Sequence, residues 1–155
     1  MAGPGSAVET PVLVKTVDQL VEEARRRIAG VTSDEIAEDV ASGRVLVVDV
    51  REPDEWEQGH IPQAINIPRG WLEFKADPAT PFADARLHPG RPILVHCAAG
   101  KRSALACAAL QDMGYAAVRS LEGGFEAWQK AGYPTIRDGR ARGSGRSVAA
   151  LPLEP

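Results

Sequence analysis

The sequence is poor in the residues that define several common classes of protein. It has only two cysteines, Cys97 and Cys107, and therefore neither a disulfide framework nor the paired cysteines of a zinc or dithiol site. It has no run of about 18 apolar residues, and its start lacks the basic end and apolar run of a secretory signal. We therefore expect a cytoplasmic protein that does not enter a membrane.

The charge balance is ordinary for a soluble protein. Charged residues make up 25% of the 155 residues, and the formal net charge is -3. Such a balance favours neither a nucleic-acid partner nor a membrane-surface partner. The length fits one domain, and the hydrophobic fraction of 44% is enough for a core. Any function must therefore reside in a local site.

Helical and strand patterns alternate along the chain. Helical spacing of apolar residues predicts helices over 16–29 and from Thr32 to Gly43. Continuous β-branched runs at 44–50 and 91–97 are typical of strands buried on both faces, and residues 64–67 form a shorter strand candidate.

The second half of the chain continues this alternation. A helix over 101–113 with an apolar core is followed by a strand in "AAVRSLEGG" and a helix over 125–131. This order predicts an α/β protein with a central, mainly parallel sheet and helices on both faces. We expect the domain to span 16–134, with a flexible N-terminus at 1–15 and a flexible, Arg/Gly-rich tail at 135–155.

The stretch "LVHCAAGKRS" joins the end of a predicted strand to the start of a predicted helix. Cys97 would lie at the carboxyl edge of the sheet, where open α/β proteins build their sites. Small residues after it allow successive backbone N–H groups to turn inward around an anion, beside two cations and a hydroxyl donor. This rim consists of Ala98, Ala99, Gly100, Lys101, Arg102 and Ser103.

The two cysteines are expected to differ. Inward N–H groups and a helix dipole stabilise a thiolate, which favours a nucleophilic Cys97 over a packed core cysteine. Cys107, inside the apolar helix, fits a buried cysteine. A disulfide between them is disfavoured, because six helical residues separate Cys107 from the helix start by roughly 9 Å.

Three segments in order resemble those of the single-domain rhodanese-like sulfurtransferases: "VVDVREPDEWEQGHIPQAINIP", "CAAGKRS" and "LEGGFEAW". The resemblance covers about 32–134, so the helix at 16–29 is an addition, and the residues leave open whether it packs on the domain or forms a homodimer contact. It implies the rhodanese-like three-layer fold. It also implies that Cys97 takes a sulfane sulfur, as a persulfide, from thiosulfate or a similar small anionic donor and passes it to cyanide or a thiol. The rim from Ala98 to Ser103 would bind the substrate, with no metal or organic cofactor.

Other polar and aromatic residues are expected to support the structure. We expect Asp49 and Arg51 to pair at the end of their strand. His60, in "GHIP", predicts a hydrogen-bonded turn histidine rather than a general base. Core packing is expected for His96, Phe125 and Trp128, and also for Trp71 and Phe74 unless these two wall the pocket.

The sequence is also compatible with two alternative functions. Phosphatases and arsenate reductases use a similar loop, but theirs is one residue longer between the cysteine and the arginine, which suits a tetrahedral oxyanion. A non-catalytic rhodanese-like binding or regulatory module is the other alternative. Such modules commonly lack the cysteine, whereas this chain has Cys97 together with Gly100 and Arg102.

Overall fold

The computed structural model describes residues 8–137 and the backbone of 140–142. The helices of this part of the chain are α1 (Val17–Arg27), α2 (Ser33–Ala41), α3 (Pro53–Glu57), α4 (Leu72–Ala76), α5 (Lys101–Asp112) and α6 (Gly124–Lys130). The strands are β1 (Ala29–Val31), β2 (Leu46–Asp49), β3 (Ile65–Asn66), β4 (Ile93–His96), β5 (Val118–Leu121), β6 (Thr135–Arg137) and β7 (Arg140–Arg142). Of the predicted flexible ends, residues 1–7, 138–139 and 143–155 lie outside the described residues.

A five-stranded sheet forms the centre of the molecule. Its strand order is β1-β5-β4-β2-β3, and every neighbouring pair in it is parallel. β2 and β4 are buried along their whole length, because they lie inside the sheet and helices cover both of its faces. The predicted α/β fold with a central, mainly parallel sheet is confirmed.

The hydrophobic core has two layers, one on each face of the sheet. Leu72 of α4 and Leu110 of α5 belong to one apolar cluster, with side chains of β2 and β4. Ile36 of α2 and Trp128 of α6 belong to the other cluster. The alternating directions of side chains along each strand thus feed both layers. Cys97 follows β4 at the carboxyl edge of the sheet, where open α/β folds place their sites.

Helix α1 packs on the outside of α5. Val21 and Ala24 of α1 are buried against Ala104 and Ala108 of α5 in a small third apolar cluster. This packing accounts for the apolar character of α5 on every side, because one face meets the sheet and the opposite face meets α1. The described residues therefore place the added helix on the domain itself.

Three strands, β1, β6 and β7, lie where the sequence indicates none. β1 (Ala29–Val31) has no apolar run and forms by pairing with the open edge of β5. β6 (Thr135–Arg137) lies in the predicted tail, yet Thr135 and Ile136 are buried and Ile136 exchanges two backbone hydrogen bonds with His60. The expectation of a flexible tail is therefore wrong for 135–137. No helix among the described residues is long and apolar enough to cross a membrane.

Candidate active site

A tight turn after β4 places Cys97 under the start of α5. Gly100 is the residue before the helix and has a φ of 109°, a backbone conformation that side-chain-bearing residues rarely adopt. This turn folds the rim residues around the sulfur atom instead of continuing the strand. The glycine of "AAG" is therefore a requirement of the local backbone.

The sulfur of Cys97 accepts hydrogen bonds from the backbone. The N–H groups of Gly100 and Ser103 donate to Sγ at 3.1 and 3.4 Å, and the Ser103 hydroxyl oxygen lies 3.6 Å from it. Cys97 is 1% exposed, so the sulfur lies on the floor of the loop. It is buried, but the amides after it point inward as the sequence predicts.

Further N–H groups of the rim have no partner. Those of Ala99, Lys101 and Arg102 donate to no acceptor among the described residues. Ala99 is exposed and Arg102 is half-buried, so this part of the rim is open to solvent. Free N–H groups at a helix start bind anions, because each contributes a donor and part of the helix dipole. The loop can therefore hold an anionic group above the sulfur.

The first turn of α6 forms hydrogen bonds with the backbone of the loop. The N–H of Phe125 donates to the Cys97 carbonyl at 2.8 Å, and that of Glu126 donates to the Ala98 carbonyl at 3.0 Å. Gly124, with a φ of 60°, allows this approach, because an added Cβ atom would lie 2.6 Å from both carbonyl oxygens. These two hydrogen bonds fix the backbone of Cys97 and Ala98 against α6.

His96 lies beneath the loop and not in it. Its ring is fully buried, and Nδ1 lies 3.1 Å from the Cys97 carbonyl oxygen. Burial lowers the pKa of His96 below its usual value, so the ring is neutral and its Nδ1–H donates to this carbonyl. The expectation of a packed histidine is confirmed.

Both cationic side chains of the rim are paired with carboxylates. Arg102 donates two hydrogen bonds to Glu55 of α3, at 2.8 and 3.0 Å, and Lys101 donates to Asp18 of α1 at 2.9 Å. The bonds from Arg102 lower the pKa of Glu55 to about 2, and the same contact raises the pKa of Arg102. The groups nearest the sulfur are therefore backbone dipoles rather than free charges.

The polar residues of the segment "VVDVREPDEWEQGHIPQAINIP" form hydrogen bonds with one another. Arg51 donates to both carboxylate oxygens of Asp49 and to the Gly59 carbonyl, in a buried pair that confirms the expectation. Asn66 donates to the carbonyls of Asp49 and Arg51. The Nδ1–H of His60 donates to the Trp56 carbonyl oxygen at 3.1 Å, and the ring stacks on the Trp56 ring, as expected of a turn histidine.

Two polar residues of the site have no role predicted from the sequence. Ser120 of β5 is buried, and its hydroxyl lies 2.9 Å from that of Ser103, which in turn adjoins the sulfur. Glu55 holds Arg102 across 47 residues of chain. The capping pattern that starts α3 marks Glu55 as a helix residue, but it carries no signal for this long-range contact.

Two aromatic residues lie on the surface. Trp71 and Phe74 are 47% and 53% exposed and contact Phe82, which is also exposed. The expectation that they pack in the core is wrong, because α4 buries Leu72 and Ala76 and turns its other face to solvent. Phe125 and Trp128 are buried as expected.

Comparisons with known proteins agree with this geometry. The model of the rhodanese-like domain family matches residues 32–131. The chain is 34% identical to the thiosulfate sulfurtransferase 16, chloroplastic, of Arabidopsis thaliana, covering 75% of this chain and 98% of that protein. It is 36% identical to a sulfurtransferase of Allochromatium vinosum, covering 59% of this chain and 78% of that protein.

A solved structure is also similar over most of its length. It is a protein of unknown function from Rhodopseudomonas palustris, described as a possible tyrosine phosphatase. The two chains are 35% identical with a TM-score of 0.75, and the match covers 80% of this chain and 96% of that one.

Proposed function

Because the chain belongs to the family of rhodanese-like domains, we propose that it is a sulfurtransferase that carries a sulfane sulfur on Cys97. The observation that carries this proposal is the ring of N–H groups around one buried sulfur. Gly100 and Ser103 donate to Sγ, and further rim N–H groups are free to bind an anion. Two relatives of the chain bear the name sulfurtransferase.

Thiosulfate fits the loop as donor. The Cys97 thiolate attacks the outer sulfur of thiosulfate, and a new S–S bond forms between them. The bond between the outer sulfur and the sulfonate sulfur breaks, and its electron pair leaves with sulfite. The free N–H groups of Ala99, Lys101 and Arg102 provide donors for the dianion.

The second half-reaction regenerates the thiolate. A nucleophile such as cyanide attacks the outer sulfur of the persulfide, the S–S bond breaks, and its electron pair returns to Sγ. Because donor and acceptor react in turn at one atom, this scheme gives ping-pong kinetics. Because Cys97 is only 1% exposed, the loop favours reagents whose reacting atom lies at the end of the molecule and can reach the buried sulfur.

Intact-protein mass spectrometry tests the covalent step. After treatment with thiosulfate, the wild-type chain is expected to gain one sulfur atom, which cyanide removes as thiocyanate. Cys97→Ser is expected to gain none, and Cys107→Ser is the matched control that behaves like wild type. A chain that neither gains sulfur nor forms thiocyanate would support a non-catalytic binding module.

The phosphatase alternative has a test of its own, because a structural relative is described as a possible tyrosine phosphatase. Only four residues separate Cys97 from Arg102 in this chain, and Arg102 is engaged by Glu55. We expect negligible hydrolysis of an aryl phosphate. Rapid hydrolysis that disappears in Cys97→Ser would replace the sulfurtransferase proposal.

A further inference from the structure

A cavity of about 360 Å³ lies beside the loop, on the side of α1. One wall is Arg25 and Ile28, which precede the residues matched by the family, and the other wall includes Gly100 and Gly123. Helix α1 and its C-cap residue Ile28 therefore supply one wall of the cavity. It borders the loop at Gly100, whose N–H donates to the sulfur of Cys97 at 3.1 Å.

The cavity contains a place for an anionic oxygen. The position that a Cβ atom on Gly100 would occupy lies 3.6 Å from Arg25 Nη2 and from the Gly123 nitrogen, and 3.8 Å from the Leu121 carbonyl oxygen. Among the described residues, Arg25 forms no hydrogen bond or ion pair, and the Gly123 N–H has no acceptor. A carboxylate near this position meets a guanidinium and a free N–H together.

A negatively charged side chain also lines this cavity. Glu122 lines it, with its carboxylate packed over Gly30, where an added Cβ atom would lie 2.8 Å from Oε1. Among the described residues its side chain forms no hydrogen bond or ion pair, so it does not pair with Arg25. The cavity thus presents one cation and one anion on exposed side chains, neither of which forms an ion pair within the part of the chain that the structure describes, although the charge of Arg25 also acts on Asp18. Ile28 and Leu121 supply apolar lining.

We propose that this cavity binds a small zwitterion with the carboxylate and ammonium groups of an α-amino acid. Arg25 and the Gly123 N–H bind the carboxylate, and Glu122 binds the ammonium group. A simple anion satisfies only half of this charge pattern and meets repulsion from Glu122.

The assignment names a class of acceptor, and in this respect it rests on the proposed function. Amino-acid thiols such as cysteine combine this zwitterion with a nucleophilic sulfur. Such a thiol gives its proton to water, and its thiolate attacks the outer sulfur of the Cys97 persulfide. The acceptor becomes a persulfide, and the electron pair of the broken S–S bond stays on Sγ.

Binding is tested first without chemistry. The full chain is titrated with S-methyl-L-cysteine, which has no free thiol, while the backbone amide signals of Gly100 and Gly123 are followed by NMR. We expect saturable shifts that require at least tenfold more ligand in Arg25→Gln. Arg26→Gln is the matched control on the same helix, since Arg26 pairs with Glu22 at the surface. Equal responses of the two variants, or no shifts in wild type, would overturn the site.

Acceptor kinetics test its use in catalysis. With thiosulfate as donor, Arg25→Gln is expected to raise the KM for L-cysteine about tenfold and to change the KM for cysteamine, which lacks the carboxylate, less than twofold. Glu122→Gln is expected to remove the preference for cysteine over 3-mercaptopropionate, which lacks the ammonium group. Equal effects on all three thiols would contradict the acceptor assignment. If wild type fails to turn over with cyanide, the proposed function fails, while the titration still decides the binding site.

Discussion

Cys97 and Cys107 belong to the same apolar cluster but have different neighbours. Two backbone N–H groups donate to the sulfur of Cys97. Cys107 lies within α5, where burial, together with the charge of Cys97, raises its pKa to about 12. Environment, and not residue type, therefore separates a candidate nucleophile from a packing residue.

This difference predicts selective alkylation. At pH 8 a small alkylating reagent is expected to modify Cys97 in the folded protein and to leave Cys107 unmodified, because Cys107 remains a thiol until the pH approaches its pKa of about 12. Peptide mapping by mass spectrometry measures both sites. In denaturant both cysteines are expected to react, which serves as the control. Faster modification of Cys107 than of Cys97 in the folded chain would contradict the site.

Substitution of Gly124 is expected to destabilise the fold both by backbone strain and by a steric clash at the loop. Gly124→Ala combines a positive φ with a Cβ atom 2.6 Å from the Cys97 and Ala98 carbonyl oxygens. We expect it to lower the free energy of unfolding by about 3 kcal/mol and to reduce sulfur transfer at temperatures where it is folded. Gly43→Ala, which also has a positive φ but no atom within 4 Å, is the control. It is expected to cost about 1 kcal/mol and to leave activity intact, and the two are compared by urea unfolding.

At the scale of elements, one ion pair joins the start of α5 to α3. Arg102 and Glu55 make two hydrogen bonds between half-buried side chains. α3 has only five residues and no fully buried side chain, so this contact adds to the packing of half-buried Trp56 against the core in fixing the helix. The pair thus orients Arg102, a rim residue that is predicted from the sequence to bind the substrate.

The pair predicts a pH dependence of stability. Glu55 has a folded pKa of about 2 against an ordinary 4.5, so its contribution is complete above pH 4.5 and is lost as the pH falls toward 2. Glu55→Gln is expected to lower the free energy of unfolding by about 1 kcal/mol at pH 7, and this difference should vanish near pH 2. Glu57→Gln, on the same helix, is the control with little effect. A difference that stays constant across this pH range would show that the ion pair is not its source.

At the scale of the whole molecule, α1 adds a layer to the three-layer domain. Its buried face is small, with Val21 and Ala24 against alanines of α5, and two surface ion pairs join the ends of the two helices. Close contact between small side chains lets the helix axes approach, so one deleted methyl group leaves a gap that neighbours cannot fill.

This packing gives a prediction for the docked helix. Val21→Ala is expected to cost about 2 kcal/mol of unfolding free energy, from lost apolar burial plus a cavity. Val17→Ala is the control on the same helix, because Val17 is 60% exposed, and a change within about 0.5 kcal/mol is expected. Urea unfolding measures both. Equal small effects would mean that α1 contributes little to the folded domain.

The amino-acid sequence by itself determined the main elements and the local backbone of the loop. Long apolar runs at β2 and β4 and the capping patterns of α1 and α2 are local signals, since the residues that cause them are neighbours in the chain. The spacing of small residues after Cys97 likewise predicts inward N–H groups, because the backbone conformation depends on the residues of the turn.

Only the tertiary structure decided which distant groups meet. β1 has no pattern of its own and exists by pairing with β5, and the exposure of Phe74 depends on which face of α4 meets the core. The engagement of Arg102 by Glu55 and the placing of Arg25 beside Gly100 join residues far apart in the chain. Such contacts arise from packing between elements, for which the sequence of neither partner carries a local signal.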